Sequence, residues 1–174
     1  MSTVAFMPSP LQDRSPTLPS SVAGMAQLQP GADAPPFTLL DQTSTPVSLS
    51  DFRGRKVLLY FYPKADTPGC TVQSRGLSDI SGQVGGTVIL GVSPDTPAKQ
   101  AKFDAKYGLG FPLLADEDHA VSESYGVWVE KNMYGKKYLG VLRSAFLVDE
   151  EGRIAHAWYK VAPMETATKL LAAL

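Results

Sequence analysis

The chain contains a single cysteine, Cys70, at the end of the stretch YPKADTPGC. Two prolines and a glycine precede it closely, and Thr67 stands three residues before the sulfur. A lone cysteine is most often a buried, inert side chain. Such a cysteine would fall more naturally inside the apolar run VLLYFY than after a Pro-Gly turn. The position therefore favours an exposed thiol that reacts as a nucleophile.

The elements predicted around Cys70 support this interpretation. Residues 56–62, KVLLYFY, are almost continuously apolar, which predicts a central strand buried on both faces. Residues 87–93, TVILGVS, repeat this signature, and residues 71–84 between them are enough for a crossover helix, so a βαβ unit is expected. Cys70 then lies in the opening turn of that helix, where unpaired backbone N–H groups and the helix dipole favour a thiolate.

The rest of the pattern completes an α/β fold. In chain order it predicts a hairpin from FTLL and VSLS, a helix that Thr96 caps and Gly108 ends, a short helix in DEDHAVSESYG, a hairpin in SAFLVDEEGRIAHAWYKV and a helix in PMETATKLLAAL. We therefore expect a thioredoxin-like sandwich, with a mixed central sheet, an N-terminal β-hairpin extension and flanking helices.

Composition narrows the functional classes. With 174 residues, 44% of them hydrophobic, the chain predicts one folded domain. Sixteen basic and 17 acidic residues leave a net charge of -1 without a long block of like charge, so nucleic acid is not an expected partner. The apolar runs are too short for a membrane span. One cysteine cannot close an internal disulfide, which favours a reducing compartment such as the cytoplasm.

No cofactor or metal is expected. The two histidines, His119 and His156, are too few for a metal site with adequate ligands. A C-x-x-C motif is missing, which argues against ordinary disulfide-oxidoreductase activity, and the glycines lack the spacing of phosphate-binding loops.

The N-terminus differs in composition from the rest. Residues 1–29 are rich in Ser, Thr and Pro without helical or strand periodicity, which predicts a disordered tail ahead of a domain at residues 30–174. A basic start and an apolar stretch, the marks of a secretory signal, are missing. Two alternatives stay open: an organellar transit peptide, and a biological start at Met25.

Several motifs resemble one known family. PKADTPGC carries the Pro-x-x-x-Thr-x-x-Cys signature of peroxiredoxins, and FYPKADTPGCTVQ resembles their PrxQ, or bacterioferritin comigratory protein, subfamily. GVSPDTPAKQAKFDAKYGLGFPLLAD, YGVWVEKNMYGKKYLG and RSAFLVDEEGRI resemble that subfamily in the same order. The resemblance covers about residues 30 to 174. It implies a thiol-dependent peroxidase that reduces hydrogen peroxide and organic hydroperoxides on a thioredoxin fold.

The resemblance also implies roles for individual residues. Cys70 would attack the peroxide, the Thr67 hydroxyl would donate to it, and Pro63 would shield the pocket from water. Arg143, in VLRSAFLVD, would supply a fixed positive charge with several donors. Taken alone, Thr67 is more typical of a turn and Arg143 of a strand start at the surface. The combination favours a catalytic centre.

One departure from the subfamily concerns the resolving cysteine. Many members carry it five residues after the peroxidatic cysteine, which is Arg75 here, and others carry it on the next helix, near Asp104, where this chain has no cysteine either. A sulfenic acid on Cys70 would therefore need an external thiol: a thioredoxin, a glutaredoxin or a low-molecular-weight thiol. Joining of two Cys70 residues from separate chains has poor geometry, and the resemblance favours a monomer. Arg75 lies about 140° around the helix from Cys70, which predicts a solvated arginine.

Two other functions remain possible from the sequence. Oxidised Cys70 could change the affinity of a partner, which would make the protein a redox sensor. The chain could instead be a thioredoxin-fold interaction protein whose peroxidase activity has decayed, although the four motif residues argue against decay. The basic segment MYGKKYLG predicts a solvated loop, which the resemblance puts near the mouth of the active site.

Overall fold

A computed structural model of the chain describes residues 27–174. The strands are β1 (Thr38–Leu40), β2 (Pro46–Ser48), β3 (Val57–Phe61), β4 (Val88–Ser93), β5 (Leu113–Ala115), β6 (Trp128–Met133), β7 (Lys136–Val141), β8 (Ser144–Val148) and β9 (Ile154–Trp158). Seven of them form the main sheet in the order β2-β1-β5-β4-β3-β8-β9, and β6 and β7 form a separate two-stranded sheet. The α-helices are α1 (Pro68–Ile80), α2 (Pro97–Tyr107), α3 (Ala120–Ser124) and α4 (Thr166–Ala173).

β4 is the middle strand of the seven, and its neighbour β3 is an interior strand that is buried on both faces, as predicted. It pairs in parallel with β4 and antiparallel with β8, and all five of its residues are buried. Leu59 and Phe61 pack into one core cluster, whereas Leu58 and Tyr60 pack into a second cluster on the other face with Leu77 of α1. Successive side chains of a strand point in opposite directions, so β3 contributes to both clusters. The strand ends at Phe61 inside the core, directly before the loop that leads to α1 and Cys70.

Most of the predicted elements are confirmed. The first hairpin is β1–β2, the second is β8–β9, and α2 is capped by the Thr96 hydroxyl and ended by Gly108 in the left-handed conformation. The sheet is mixed and flanked by helices, in agreement with the predicted α/β sandwich. The short strand β5, which follows Pro112, was not predicted.

The prediction of a loop for MYGKKYLG is wrong. This segment contains the turn and most of β7, which pairs with β6 along six residues. Tyr134 and Gly135 both have positive φ, 53° and 79°, as a tight two-residue hairpin of type I′ requires. The strand escapes the usual pattern because most of β7 is exposed, so polar and apolar residues do not alternate.

The predicted disordered tail and the alternative start at Met25 fall mainly on residues 1–26, which lie outside the described residues. Further along, the Leu28 backbone N–H donates to the Tyr159 hydroxyl at 2.8 Å, and Leu28 packs against the first core cluster. Within residues 27–174, no helix is both long and apolar enough to cross a bilayer.

Candidate active site

Cys70 is the third residue of α1, in the first turn of the helix. Thr67 is the N-cap residue with an extended backbone, and Pro68 follows at the first helical position, where its fixed φ fits and its missing N–H costs nothing. The first hydrogen bond of the helix joins Thr71 N–H to the Thr67 carbonyl at 2.8 Å. The backbone N–H groups before Thr71 have no carbonyl partner within the helix, so this end carries a partial positive charge beside the sulfur.

The Cys70 side chain is fully buried, with 0% of its surface exposed. It packs in the second core cluster, near Tyr60, Tyr62 and Leu77. The prediction of an exposed nucleophile is therefore wrong for this structure. Cys70 does lie at the predicted loop-to-helix junction, but its side chain points into the core and contacts an arginine from a distant part of the chain.

That arginine is Arg143, which stands between β7 and β8. Its Nη2 donates to Cys70 Sγ at 3.4 Å, and its Nη1 donates to the side-chain oxygen of Gln73 at 2.7 Å. The Arg143 carbonyl accepts from the Val161 backbone N–H at 2.9 Å. Gly69 allows this close approach, because a Cβ atom there would lie 3.1 Å from Nη2. The structure thus brings together two predicted residues that are separated by 73 positions.

Gln73 was not identified from the sequence. It lies three residues after Cys70 on α1, so both side chains share one side of the helix. Its side chain is 1% exposed, and its amide nitrogen donates to the Thr166 hydroxyl on α4 at 2.9 Å. The spacing of three residues was a usable signal. The contact between Gln73 and Arg143 could not be predicted from the sequence, because it depends on the tertiary fold.

The other two predicted residues lie in the loop before α1. Pro63 is partly buried at the start of the loop, next to the end of β3. The Thr67 hydroxyl donates to the Lys64 carbonyl at 2.8 Å. In this structure its proton is therefore used within the loop, and Cys70 accepts from Arg143 instead.

Two contacts anchor the loop to the rest of the domain. The Ala65 backbone N–H donates to the buried Asp95 carboxylate at 2.7 Å. Asp66, in the left-handed conformation, accepts from Lys106 at 3.0 Å and from the Tyr107 hydroxyl at 2.9 Å, both on α2. These hydrogen bonds hold the pKa of the Asp66 carboxyl below its ordinary value.

Two further ionisable groups surround the Cys70–Arg143 pair. Burial raises the pKa of Tyr60 far above its ordinary value, and its hydroxyl forms a 2.8 Å hydrogen bond with Ser74, so it is a neutral group beneath the site. Lys131 on β6 is partly buried. The pKa of Lys131 is lowered, mainly by burial and less by the positive charge of Arg143. Negative charge on Cys70 acts in the opposite direction and raises the pKa of Lys131.

The positions of the missing resolving cysteine have other surroundings. Arg75 is exposed, as predicted. Asp104 accepts from the backbone N–H groups of Leu109 and Gly110 and from the Gln42 amide, which stabilises the end of α2. In residues 27–174, no group of three His, Cys, Asp or Glu side chains is arranged to hold a metal ion.

The chain matches known proteins along most of its length. Residues 30–157 match the model of the AhpC/TSA family. The chain is 52% identical over 138 residues to a Bcp peroxiredoxin of Haemophilus influenzae, which covers 78% of this chain and 89% of the relative. It is 49% identical over 136 residues to peroxiredoxin Bcp of Escherichia coli, covering 77% of this chain and 87% of the relative.

Solved structures agree with this result. The bacterioferritin comigratory protein of Xanthomonas campestris has a TM-score of 0.75 at 39% identity, covering 79% of this chain and 88% of that chain. Peroxidoxin BcpB of Mycobacterium tuberculosis has a TM-score of 0.74 at 32% identity, covering 84% and 96%. The predicted thioredoxin-like fold is thereby confirmed. The chain belongs to the AhpC/TSA family, among its Bcp/PrxQ peroxiredoxins, and is a thiol-dependent peroxidase with a peroxide as substrate and a thiol as reductant.

Proposed function

We propose that Cys70 is the peroxidatic residue and that Arg143, Thr67 and Pro63 complete its catalytic centre. The observation that carries this proposal is the 3.4 Å hydrogen bond from Arg143 to Cys70 Sγ in the first turn of α1. The guanidinium keeps its charge at every relevant pH and has donors left for a peroxide. Gln73 supports the arginine from the other side.

In the first step, the Cys70 thiolate attacks one oxygen of ROOH. An S–O bond forms and the O–O bond breaks, so that sulfur is oxidised to a sulfenic acid and the other oxygen leaves as RO⁻, which takes up a proton. Arg143 donors stabilise negative charge as it moves from sulfur to the leaving oxygen. The Thr67 hydroxyl joins them after turning from the Lys64 carbonyl that it now contacts.

In the second step, an external thiol restores Cys70. The thiol condenses with the sulfenic acid to give a mixed disulfide and water. A second thiol then attacks the external sulfur, which forms a disulfide between the two external thiols and releases Cys70 as a thiolate. Cys70 is the only cysteine of the chain, which supports this route. A thioredoxin, a glutaredoxin and a low-molecular-weight thiol are the candidate reductants, and a cytoplasmic monomer is the form that we expect to act.

Because Cys70 is buried, the two steps differ in how the second reactant reaches the sulfur. A peroxide is small enough to reach the sulfur through a small displacement of Arg143, whereas a thiol protein must bring its own sulfur to bonding distance. We expect the first turn of α1 to open after oxidation, because Cys70 has no exposed surface in the closed form. Hydrogen peroxide and alkyl hydroperoxides are the proposed substrates, and the Xanthomonas relative has been described with alkyl peroxide reduction activity.

The test is catalytic peroxide consumption by the full chain. Hydrogen peroxide and an alkyl hydroperoxide are each supplied with dithiothreitol, with reduced thioredoxin and with reduced glutaredoxin. Sustained turnover with at least one thiol, lost in Cys70→Ser, is the expected result. If every reductant supports only a single turnover per chain, the external-thiol cycle is wrong and the protein acts as an oxidation sensor.

A further inference from the structure

We propose that Thr166, the first residue of α4, is a positioning residue for the peroxide reaction and acts through Gln73 on Arg143. This inference rests on the proposed role of Arg143. Three hydrogen bonds connect α4 to the sulfur: Gln73 to Thr166 at 2.9 Å, Arg143 to Gln73 at 2.7 Å, and Arg143 to Cys70 at 3.4 Å. Thr166 itself contributes no atom to the reacting groups.

The donor and acceptor properties of these groups determine which atom donates in each of the three hydrogen bonds. Arginine only donates, so the Gln73 amide must turn its oxygen toward Arg143. Its NH₂ group then points the other way and needs an acceptor, because the Gln73 side chain is only 1% exposed. The Thr166 hydroxyl oxygen, also in a residue that is 1% exposed, is the acceptor that it finds.

Removal of this hydroxyl would leave the Gln73 NH₂ group buried without a partner. The amide would then gain by turning or shifting toward another acceptor, and its oxygen would leave Arg143. Arg143 Nη1 would lose its 2.7 Å contact, and the guanidinium would be free to rotate away from the sulfur. Thr166 therefore restricts the guanidinium to the orientation in which Nη2 faces Cys70.

The segment that leads into α4 supports the arginine at a second place. The Val161 N–H donates to the Arg143 carbonyl, which fixes the arginine backbone. Pro163 Cγ lies 3.4 Å from the position of a Cβ on Gly69, against the first turn of α1. The segment before α4 thus holds the backbone of Arg143 through Val161, and Thr166 at the start of α4 reaches its side chain through Gln73.

The experiment compares Thr166→Val with Thr166→Ser in the full chain. Valine has nearly the shape of threonine without the hydroxyl, and serine keeps the hydroxyl. The readout is the second-order rate constant for oxidation of reduced Cys70 by hydrogen peroxide. We expect Thr166→Val to be about fivefold slower, as loss of one net hydrogen bond in the transition state would produce, and Thr166→Ser to react within about twofold of the parent.

A double-mutant cycle with Gln73→Leu separates positioning from general loosening of the fold. In the Gln73→Leu background, Thr166→Val should have no further effect on the rate constant, because the connection is already broken. The proposal is overturned if Thr166→Val reacts like the parent, if Thr166→Ser is as slow as Thr166→Val, or if the valine effect persists undiminished beside Gln73→Leu. A parent protein that itself reacts slowly would instead refute the proposed function, since all variants are compared with it.

Discussion

Replacement of Arg143 by methionine should remove most of the peroxidase activity. Methionine keeps an unbranched apolar stem but loses the donor at 3.4 Å from Cys70 Sγ and the donors proposed for the leaving oxygen. A hydrogen bond to a charged group contributes about 1.5–3 kcal/mol, so two such bonds correspond to about 4 kcal/mol in the transition state. The rate constant for peroxide oxidation should therefore fall by about a thousandfold.

The assay is rapid mixing of the reduced protein with hydrogen peroxide, followed by mass spectrometry of Cys70. Arg143→Lys is the matched control: it keeps the charge, but one ammonium group cannot reproduce the fork between Cys70 and Gln73, so an intermediate rate is expected. Arg143→Met also leaves the buried Gln73 oxygen unpaired, so the melting temperature of each variant is measured in parallel. A folded Arg143→Met variant that reacts within about threefold of the parent, well inside the spread of one hydrogen bond, would refute the reasoning.

Three further predictions concern the surroundings of the site. Gly69→Ala should slow oxidation by about tenfold, because its Cβ would lie 3.1 Å from Nη2 and would displace the guanidinium from Cys70; Gly76→Ala, on the same helix with 3.8 Å to its nearest neighbour, should keep the parent rate. The pKa of Lys131, read by NMR of its labelled ammonium group, should be lower in Cys70→Ser than in the parent, since negative charge on Cys70 raises it; an unchanged value would mean that the two groups do not interact. Burial raises the pKa of Tyr62 well above its ordinary 10.0, so its contribution to the free energy of unfolding is complete below that pH and is lost as pH rises above it; denaturant titrations that show constant stability from about pH 9 to about pH 12 would contradict this.

The position of Cys70 could be predicted because it depends on local sequence. The buried strand, the Pro-Gly turn and the proline at the first helical position all act within a few residues, and α1 begins at Pro68. Arg143 came from the family resemblance, since no local pattern connects it to Cys70. The sequence shows that Gln73 lies three residues after Cys70, at helical spacing. Its hydrogen-bond partners, Arg143 before β8 and Thr166 on α4, are distant in sequence and could not be predicted.

The burial of Cys70 and the pairing of β6 with β7 could not be predicted from local sequence. Cys70 packs in the second core cluster and accepts a hydrogen bond from a side chain 73 positions away, and only the tertiary structure shows these contacts. The hairpin of β6 and β7 is mostly exposed, and Tyr134 at its turn is 100% exposed, so burial leaves no periodic signal there. Positive φ at Tyr134, a non-glycine residue, is uncommon and concealed the turn as well.

The most direct test of the account is the second-order rate constant for oxidation of the reduced full chain by hydrogen peroxide. The sulfenic acid is trapped with a carbon nucleophile and located by mass spectrometry, with Cys70→Ser as control. We predict a rate constant several orders of magnitude above that of free cysteine, with one adduct per chain on Cys70 and none in the variant. A rate constant equal to that of free cysteine would contradict the proposal that Arg143 and the first turn of α1 activate this thiol.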